Sequence, residues 1–304
     1  MDLNDIVRPQ DEALKDTATI FSNEKSISKR LYPKDKKFSF RDIIKLLKNF
    51  NKIKRTMPSL YRTIKFIKNG QISDKRVMQK EEFAELNKLM KKLGVDSYGW
   101  LEIDSDRVFK GKGIPFKNAI VITINMDKNE FKYAPSMEGQ IEVMRIYGET
   151  GVAANEITDF LRQKGFNASP NHSLGGSIDY CKAGMDAGLG YIGRHGMLIT
   201  PENGACHRSA VIYTDIENLS DFISSKENHK WIEDFCLSCG KCIRKCPTGA
   251  IYETAKINEY GQVTSIDYNK CCSGFKNYGC AICIKVCPFT EVGYEKIKKG
   301  FIKK

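Results

Sequence analysis

The chain has 304 residues, 41% hydrophobic and 28% charged, with 11 cysteines and a net charge of +12. It is long enough to bury a full core and still carry a second unit. No apolar run approaches the length of a membrane span, and the opening MDLNDIVRPQDEALKD is polar rather than leader-like. Those features argue against a spanning or exported chain and predict reduced thiols in a cytoplasmic setting.

The charge is unevenly placed. Residues 1–80 hold 20 Lys and Arg against 9 Asp and Glu, whereas residues 81–304 hold 29 against 28. Within the basic quarter, Ile43, Leu47, Phe50, Met57, Tyr61 and Ile64 recur at helical spacing with lysines between them. This predicts an amphipathic helical segment broken near Pro58. Such a segment would lie on an anionic membrane surface as a peripheral contact, bind tRNA or dock an acidic redox partner. The plainer expectation is a helix packed on the main domain with its basic face in solvent. Residues 1–79 are therefore set apart as a basic N-terminal segment.

From residue 80 the pattern becomes mixed α and β, an α+β class. Phe83, Leu86, Leu89 and Leu93 mark one side of a helix that ends at Gly94. NAIVITINM (118–126) and SAVIYTDI (209–216) read as buried strands. Between them, residues 138–168 read as a long helical region interrupted near Gly148 and Gly151. Residues 183–204, AGMDAGLGYIGRHGMLITPENG, hold glycines at 184, 188, 190, 193, 196 and 204. There the backbone can turn tightly or approach a large flat ligand. GLGYIG matches G-x-G-x-x-G, yet a helical pattern precedes it where a dinucleotide site needs a strand.

The last 79 residues, 226–304, carry the strongest signal. Cys236, Cys239, Cys242 and Cys246 before Pro247 have the C-x2-C-x2-C-x3-C-P spacing of a bacterial [4Fe–4S] site, in which the fourth cysteine serves a second cluster. Cys280, Cys283 and Cys287 before Pro288 supply that second set, and the pair Cys271 and Cys272 offers the missing ligand. The expected sets are Cys236, Cys239, Cys242 and Cys287 for one cluster, and Cys246, Cys271, Cys280 and Cys283 for the other. Two C-x2-C pairs would also suit zinc, but zinc leaves the third cysteine and the two prolines without a role. Cys181, Cys206 and the unused member of the 271/272 pair read as small buried side chains.

AGLGYIGRHGMLITPENG, followed by Arg208, a strand and two ferredoxin cysteine sets, resembles the cobalamin-dependent reductases that include epoxyqueuosine reductase and the reductive dehalogenases. The similarity runs over roughly residues 80–290. It implies a nitroreductase-like α/β corrinoid-binding domain at 80–225, followed by a bacterial 2[4Fe–4S] ferredoxin-like domain. The corrinoid would be a cobalamin in its base-off form, and two [4Fe–4S] clusters would feed it electrons. The residues placed at the corrinoid by the resemblance are His172, Gly188, Gly190, Tyr191, Ile192, Gly193, Arg194, His195, Gly196, Thr200, Pro201 and Gly204. Tyr147 is the implied proton donor, Glu149 the second choice, and Arg208 the holder of an anionic leaving group.

The implied reaction is reductive removal of a halide or hydroxyl from a small organic substrate, with a ferredoxin or flavodoxin as the low-potential donor. The G-R-D-Y-H motif of epoxyqueuosine reductases is replaced by EVMRIYGETG, and their C-terminal helical extension is not present, which weakens a tRNA-modifying role. Respiratory dehalogenases carry an export signal, so the expected likeness is to their cytosolic relatives. Two other classes remain: an electron carrier without corrinoid, and a nucleic-acid-binding redox protein.

Overall fold

The two runs expected as buried strands form the centre of the molecule, here described from a computed structural model over residues 3–27, 39–70, 72–223, 228–257, 263–274 and 279–302. In chain order the first elements are α1 (Leu3–Thr17), β1 (Ile20–Phe21), α2 (Phe40–Lys48), α3 (Phe50–Ile53), α4 (Thr56–Lys68) and α5 (Lys80–Lys92). Next come β2 (Ser97–Glu102), β3 (Gly113–Ile114), β4 (Asn118–Asn125), α6 (Met137–Gln163), β5 (Ala168–Asn171), α7 (Tyr180–Asp186), β6 (Tyr191–Ile192), β7 (Leu198–Ile199) and β8 (His207–Thr214). The cysteine-rich part holds α8 (Trp231–Cys239), α9 (Lys241–Lys245), β9 (Ile251–Ile257), β10 (Val263–Ile266), α10 (Tyr268–Ser273), α11 (Ile282–Lys285), α12 (Pro288–Glu291) and α13 (Tyr294–Ile302).

The main sheet has the order β2-β4-β8-β5 and is antiparallel throughout. Asn118 pairs with Thr214 and Asn125 with His207, so the two central strands run in full register. Helices cover both faces. Ile120, Ile122, Ala210 and Ile212 pack with Leu86 and Met90 of α5 and Ile146, Ala153, Ile157 and Leu161 of α6. Ala119, Val121, Val211 and Tyr213 pack on the opposite side with Leu14 of α1, Ile67 of α4 and Ala183 of α7. Burial on both faces explains why these strands are apolar at nearly every position rather than at alternate ones. Pro170 falls on β5, an edge strand, where its missing N–H removes no ladder bond.

α6 is one continuous helix from Met137 to Gln163, and the interruption expected at Gly148 and Gly151 is not there. The two glycines are required by packing instead. A Cβ at Gly148 would lie 3.0 Å from the Thr56 nitrogen, and one at Gly151 2.2 Å from His172 Nε2 and 2.7 Å from Ser59 Oγ. They let α4 and the residues after β5 approach the helix axis.

The N-terminal segment also differs from expectation. Its break falls at residues 54–55, and Pro58 sits in the first turn of α4, where its absent N–H has no helical partner to lose. Described residues of this segment pack on the main unit: Leu14 and Leu60 are fully buried, and β1 pairs with β3 through Ile20 and Ile114. In α2 and α3 two of the basic groups are tied to acidic side chains of the main unit. Lys45 pairs with Glu138 at 2.7 Å, Lys52 with Glu130 at 3.0 Å, and Arg55, just before α4, with Glu149 at 3.0 Å. Phe40, Ile43, Leu47 and Phe50 face solvent. The expected division at residue 225 lies outside the described residues. No described helix is long and apolar enough to cross a membrane.

Candidate cluster sites and reduction site

The two cysteine sets fold alike. Gly240, which follows Cys239, has φ 55° and ψ 8°, and Ala281, which follows Cys280, has φ 52° and ψ 7°. Cys246 and Cys287, each ahead of a proline, have φ −67° with ψ 117° and 124°. The left-handed conformation is natural for glycine but costs an alanine about 1–2 kcal/mol, strain of the kind that functional loops retain.

These turns gather the thiols into two groups. Cys236, Cys239, Cys242 and Cys287 line one cleft of about 280 Å³, together with Phe235, Gly240, Pro288, Phe289 and His195. Cys283 lies within electrostatic range of Cys280, Cys271 and also Cys242 of the first set, and Cys280 of Cys246. Cys271 thus lies near Cys283, and the first expected set shares one cleft. Among the described residues no three His, Cys, Asp or Glu side chains converge closely enough to hold a single metal ion. An iron–sulfur cube is wider than one ion and takes its thiolates further apart, and the C-x2-C-x2-C-x3-C-P spacing fits such a cube.

Burial pushes the Cys236 thiol up to about 11 and the Cys283 and Cys287 thiols up to about 12. Thiols of this kind give up their protons to a metal, not to solvent. Backbone N–H groups act in the other direction. Arg194 donates to Cys236, Ile282 to Cys280, Ile284 to Cys283, and Phe289 and Thr290 to Cys287. For Cys246, burial raises the value, but donors from the Thr248 hydroxyl and from the backbone of Thr248, Ala250 and Ile251 outweigh it and the net shift is downward. The module is held by rings: Trp231, Phe235, Phe289, Tyr294 and Phe301 pack edge-on or tilted, with centroids 5.0–6.2 Å apart. The Tyr294 hydroxyl bonds both His229 Nδ1, at 2.7 Å, and Trp231 Nε1, at 3.1 Å.

The glycine-rich segment does not turn from a strand into a helix. It runs from α7 into a short hairpin, β6 paired with β7, whose tip is Gly193–Gly196. Its glycines are taken up by the chain itself. A Cβ at Gly190 would strike the Ile199 carbonyl, one at Gly193 would lie 2.7 Å from Ile199 Cδ1, one at Gly196 2.5 Å from Ile266 Cδ1, and one at Gly204 2.4 Å from the Phe289 carbonyl. Gly188, Gly196 and Gly204 have φ of 77°, 70° and 55°. Tyr191 donates to Glu233 at 2.9 Å, Ile192 pairs with Leu198, and Pro201 is half-buried. Thr200 Oγ1 accepts from the Asn203 nitrogen at 3.3 Å, and the Arg194 guanidinium donates to the carbonyls of Tyr252 and Glu253. The hairpin is thus the seat on which the cluster module rests.

Of the residues that the resemblance placed at a corrinoid, His172 is corrected. It is fully buried, its Nδ1 accepts from the Leu174 nitrogen and its Nε2 bonds Ser59 Oγ, both at 2.9 Å. Burial pushes it down to about 3, so it is a neutral structural histidine with no nitrogen left for a cofactor. Two other groups of the same segment do fit such a ligand. Arg194 Nε and Asn203 Nδ2 are buried donors with no partner among the described residues. The side-chain amides and phosphate of a corrinoid are acceptors of the matching kind.

Tyr147 and Arg208 come together although 60 residues separate them in the sequence. The Arg208 guanidinium carbon is 5.9 Å from the centre of the Tyr147 ring, and both side chains are half-buried. Tyr147 packs beside Val7, Leu60 and Leu174. Glu149 lies two residues further along α6, and both its oxygens accept from Arg55 Nη1, at 3.3 and 3.0 Å. Cys283 packs on the core cluster that contains Cys206 and Ile146, the sequence neighbours of this pair.

Comparison with known proteins agrees with this geometry. The 4Fe-4S double cluster binding domain family matches residues 235–290. A tetrachloroethene reductive dehalogenase of Dehalobacter restrictus is 31% identical over 224 residues, 68% of this chain and 39% of that protein. An epoxyqueuosine reductase of Bacillus subtilis is 31% identical over 116 residues, 34% of this chain and 27% of that one. The chain belongs to the superfamily of reductive dehalogenases and epoxyqueuosine reductases. Its fold is shared with a solved reductive dehalogenase tied by its description to B12-dependent dehalogenation, at a TM-score of 0.64 and 18% identity over 94% of this chain and 47% of that one. A catabolic reductive dehalogenase solved with 3-bromo-4-hydroxybenzoic acid aligns at 0.62 and 21% identity, over 80% of this chain and 36% of that one. This member of the superfamily spans about 39% of the length of the tetrachloroethene reductive dehalogenases it matches.

Residues missed by sequence reasoning are Arg55, which engages Glu149, and the Arg194 backbone N–H, which donates to Cys236. Neither leaves a mark in a linear pattern, because both depend on where a loop or helix lands.

Proposed function

We propose that the chain is an iron–sulfur reductase in which two [4Fe–4S] clusters deliver electrons to a base-off cobalamin, for reductive removal of a halide or hydroxyl from a small organic substrate. The single observation that carries this reading is the Tyr147–Arg208 pair, a phenol and a guanidinium 5.9 Å apart and both half-buried. The mixed α/β unit is taken as nitroreductase-like. A corrinoid without a lower ligand supplies, when bound, a strongly reducing cobalt. Arg194 and Asn203 would hold its amides or phosphate.

The chain's own groups do the remaining work. The cysteines of the second set, Cys246, Cys271, Cys280 and Cys283, bring the electrons to the core side of the module. The Tyr147 hydroxyl delivers a proton to the reacting carbon, since a phenol carries its proton at neutral pH. Arg208 neutralises the departing anion and, lying against the Tyr147 ring, holds it in place. A ferredoxin or flavodoxin would supply the electrons.

Anaerobic reconstitution with iron, sulfide and cobalamin, followed by metal analysis, tests the reading. About eight irons per chain are expected, as two cubes require, together with one cobalt. Full iron without cobalt would remove the corrinoid and leave an electron carrier. The packing of Gly190, Gly193, Gly196 and Gly204 against the chain itself favours that second reading.

A further inference from the structure

His195 was expected to face a corrinoid, but it lines the cleft of Cys236, Cys239, Cys242 and Cys287. The ring is 3% exposed. Its Nδ1 accepts a hydrogen bond from the Met197 nitrogen at 3.1 Å, an arrangement that leaves the ring proton on Nε2. That Nε2 has no partner among the described residues. A buried donor left unmet costs about 1–3 kcal/mol, a cost that an acceptor in this cleft would offset. The rest of the hairpin tip points the same way. Arg194, the preceding residue, donates its backbone N–H to the Cys236 sulfur. Gly193 leaves room for the imidazole, since a Cβ there would stand 2.9 Å from His195 Cε1 and 3.3 Å from Nε2.

We infer that His195 Nε2–H donates a hydrogen bond to a sulfur of the cluster held by Cys236, Cys239, Cys242 and Cys287, and sets that cluster's reduction potential. The inference rests on the two-cluster reading above. A reduced cluster carries one more negative charge than an oxidised one, and that charge spreads onto its sulfurs. A donor aimed at a sulfur therefore favours the reduced form and raises the potential. His195 is a positioning residue in this sense: it ligates no iron and touches no substrate. Its consequence is that two sites with nearly superimposable backbone turns are electronically unequal. Of the other histidines, His172 is joined to Ser59 and His229 to Tyr294, and His207 lies on β8, not among the residues that line the cleft of the first set.

The test is a redox titration of the reconstituted protein followed by electron paramagnetic resonance, for wild type, His195→Phe and His195→Gln. In His195→Phe one of the two clusters should become about tenfold harder to reduce, ~59 mV for one electron, while the other keeps its value. The glutamine amide reaches the region of Nε2 and donates again, so His195→Gln should recover most of the shift. Unchanged potentials in His195→Phe at full iron content would overturn the assignment. Wild-type protein labelled with ¹⁵N-histidine provides a reading that does not depend on how the variant folds. Hyperfine coupling between a reduced cluster and a histidine ¹⁵N is expected, and its absence overturns the proposal. Iron analysis separates this failure from failure of the underlying reading, because a wild-type chain that takes up no cluster at this cleft removes both.

Discussion

Replacing Gly151 by alanine should destabilise the protein although alanine is the better helix former. Gly151 lies in the interior of α6, one turn after Tyr147. The new methyl would stand 2.2 Å from His172 Nε2, 2.4 Å from its Cδ2 and 2.7 Å from Ser59 Oγ. The imidazole cannot yield cheaply, since it is fully buried and bonded at both nitrogens. Breaking those two bonds costs about 1–3 kcal/mol for each group left unmet. Alanine over glycine returns only about 0.8–1.0 kcal/mol of helix propensity. The net loss is about 1–5 kcal/mol, enough to lower the melting temperature by about 2 °C or more. Far-ultraviolet circular dichroism of the anaerobically reconstituted protein measures it. Gly300→Ala is the control. That glycine is also helical, in α13, but a Cβ there meets nothing within 4 Å, so the same substitution should be neutral or slightly stabilising. A Gly151→Ala protein that melts with the wild type would refute the account of His172 as a load on this contact.

Tyr147→Phe removes only the hydroxyl, so folding and metal content should survive while turnover falls by about 10²-fold or more, the size of a general-acid contribution; unaffected turnover would pass the role to another group. Cys271→Ser should cost the protein about half its iron and Cys272→Ser little, because Cys283 senses Cys271; equal loss in both would overturn the assignment of Cys271. His172 is held neutral, with its folded value pushed by burial down from 6.5 to about 3. Below about pH 6.5 the unfolded chain takes a proton that the folded one refuses, so the stability is fully present above that pH and is lost as pH falls toward 3, by up to ~1.4 kcal/mol per pH unit. Urea midpoints between about pH 4.5 and 7.5 should show a shallower slope for His172→Gln than for wild type, and equal slopes would remove this histidine from the explanation.

Local pattern alone determined the two cysteine sets, the two central strands and the ends of α5. Each is written by neighbours in the chain: a thiol spacing that wraps a cube, an apolar run that a doubly covered sheet demands, and a glycine that ends a helix with φ 74°. Only the tertiary structure decided the rest. Gly148 and Gly151 look like helix breaks in sequence, but what they relieve is contact with α4 and His172, which arrive from 92 and 21 residues away. The lysines of α2 and α3 look like a uniformly solvated face, yet two of them pair with Glu138 and Glu130, and Phe40, Ile43, Leu47 and Phe50 also face solvent. His172 and His195 could not be told apart by type or spacing. One has both nitrogens bonded by protein and the other keeps a buried donor facing four cysteines, a difference that arises from long-range packing and leaves no trace in a local pattern.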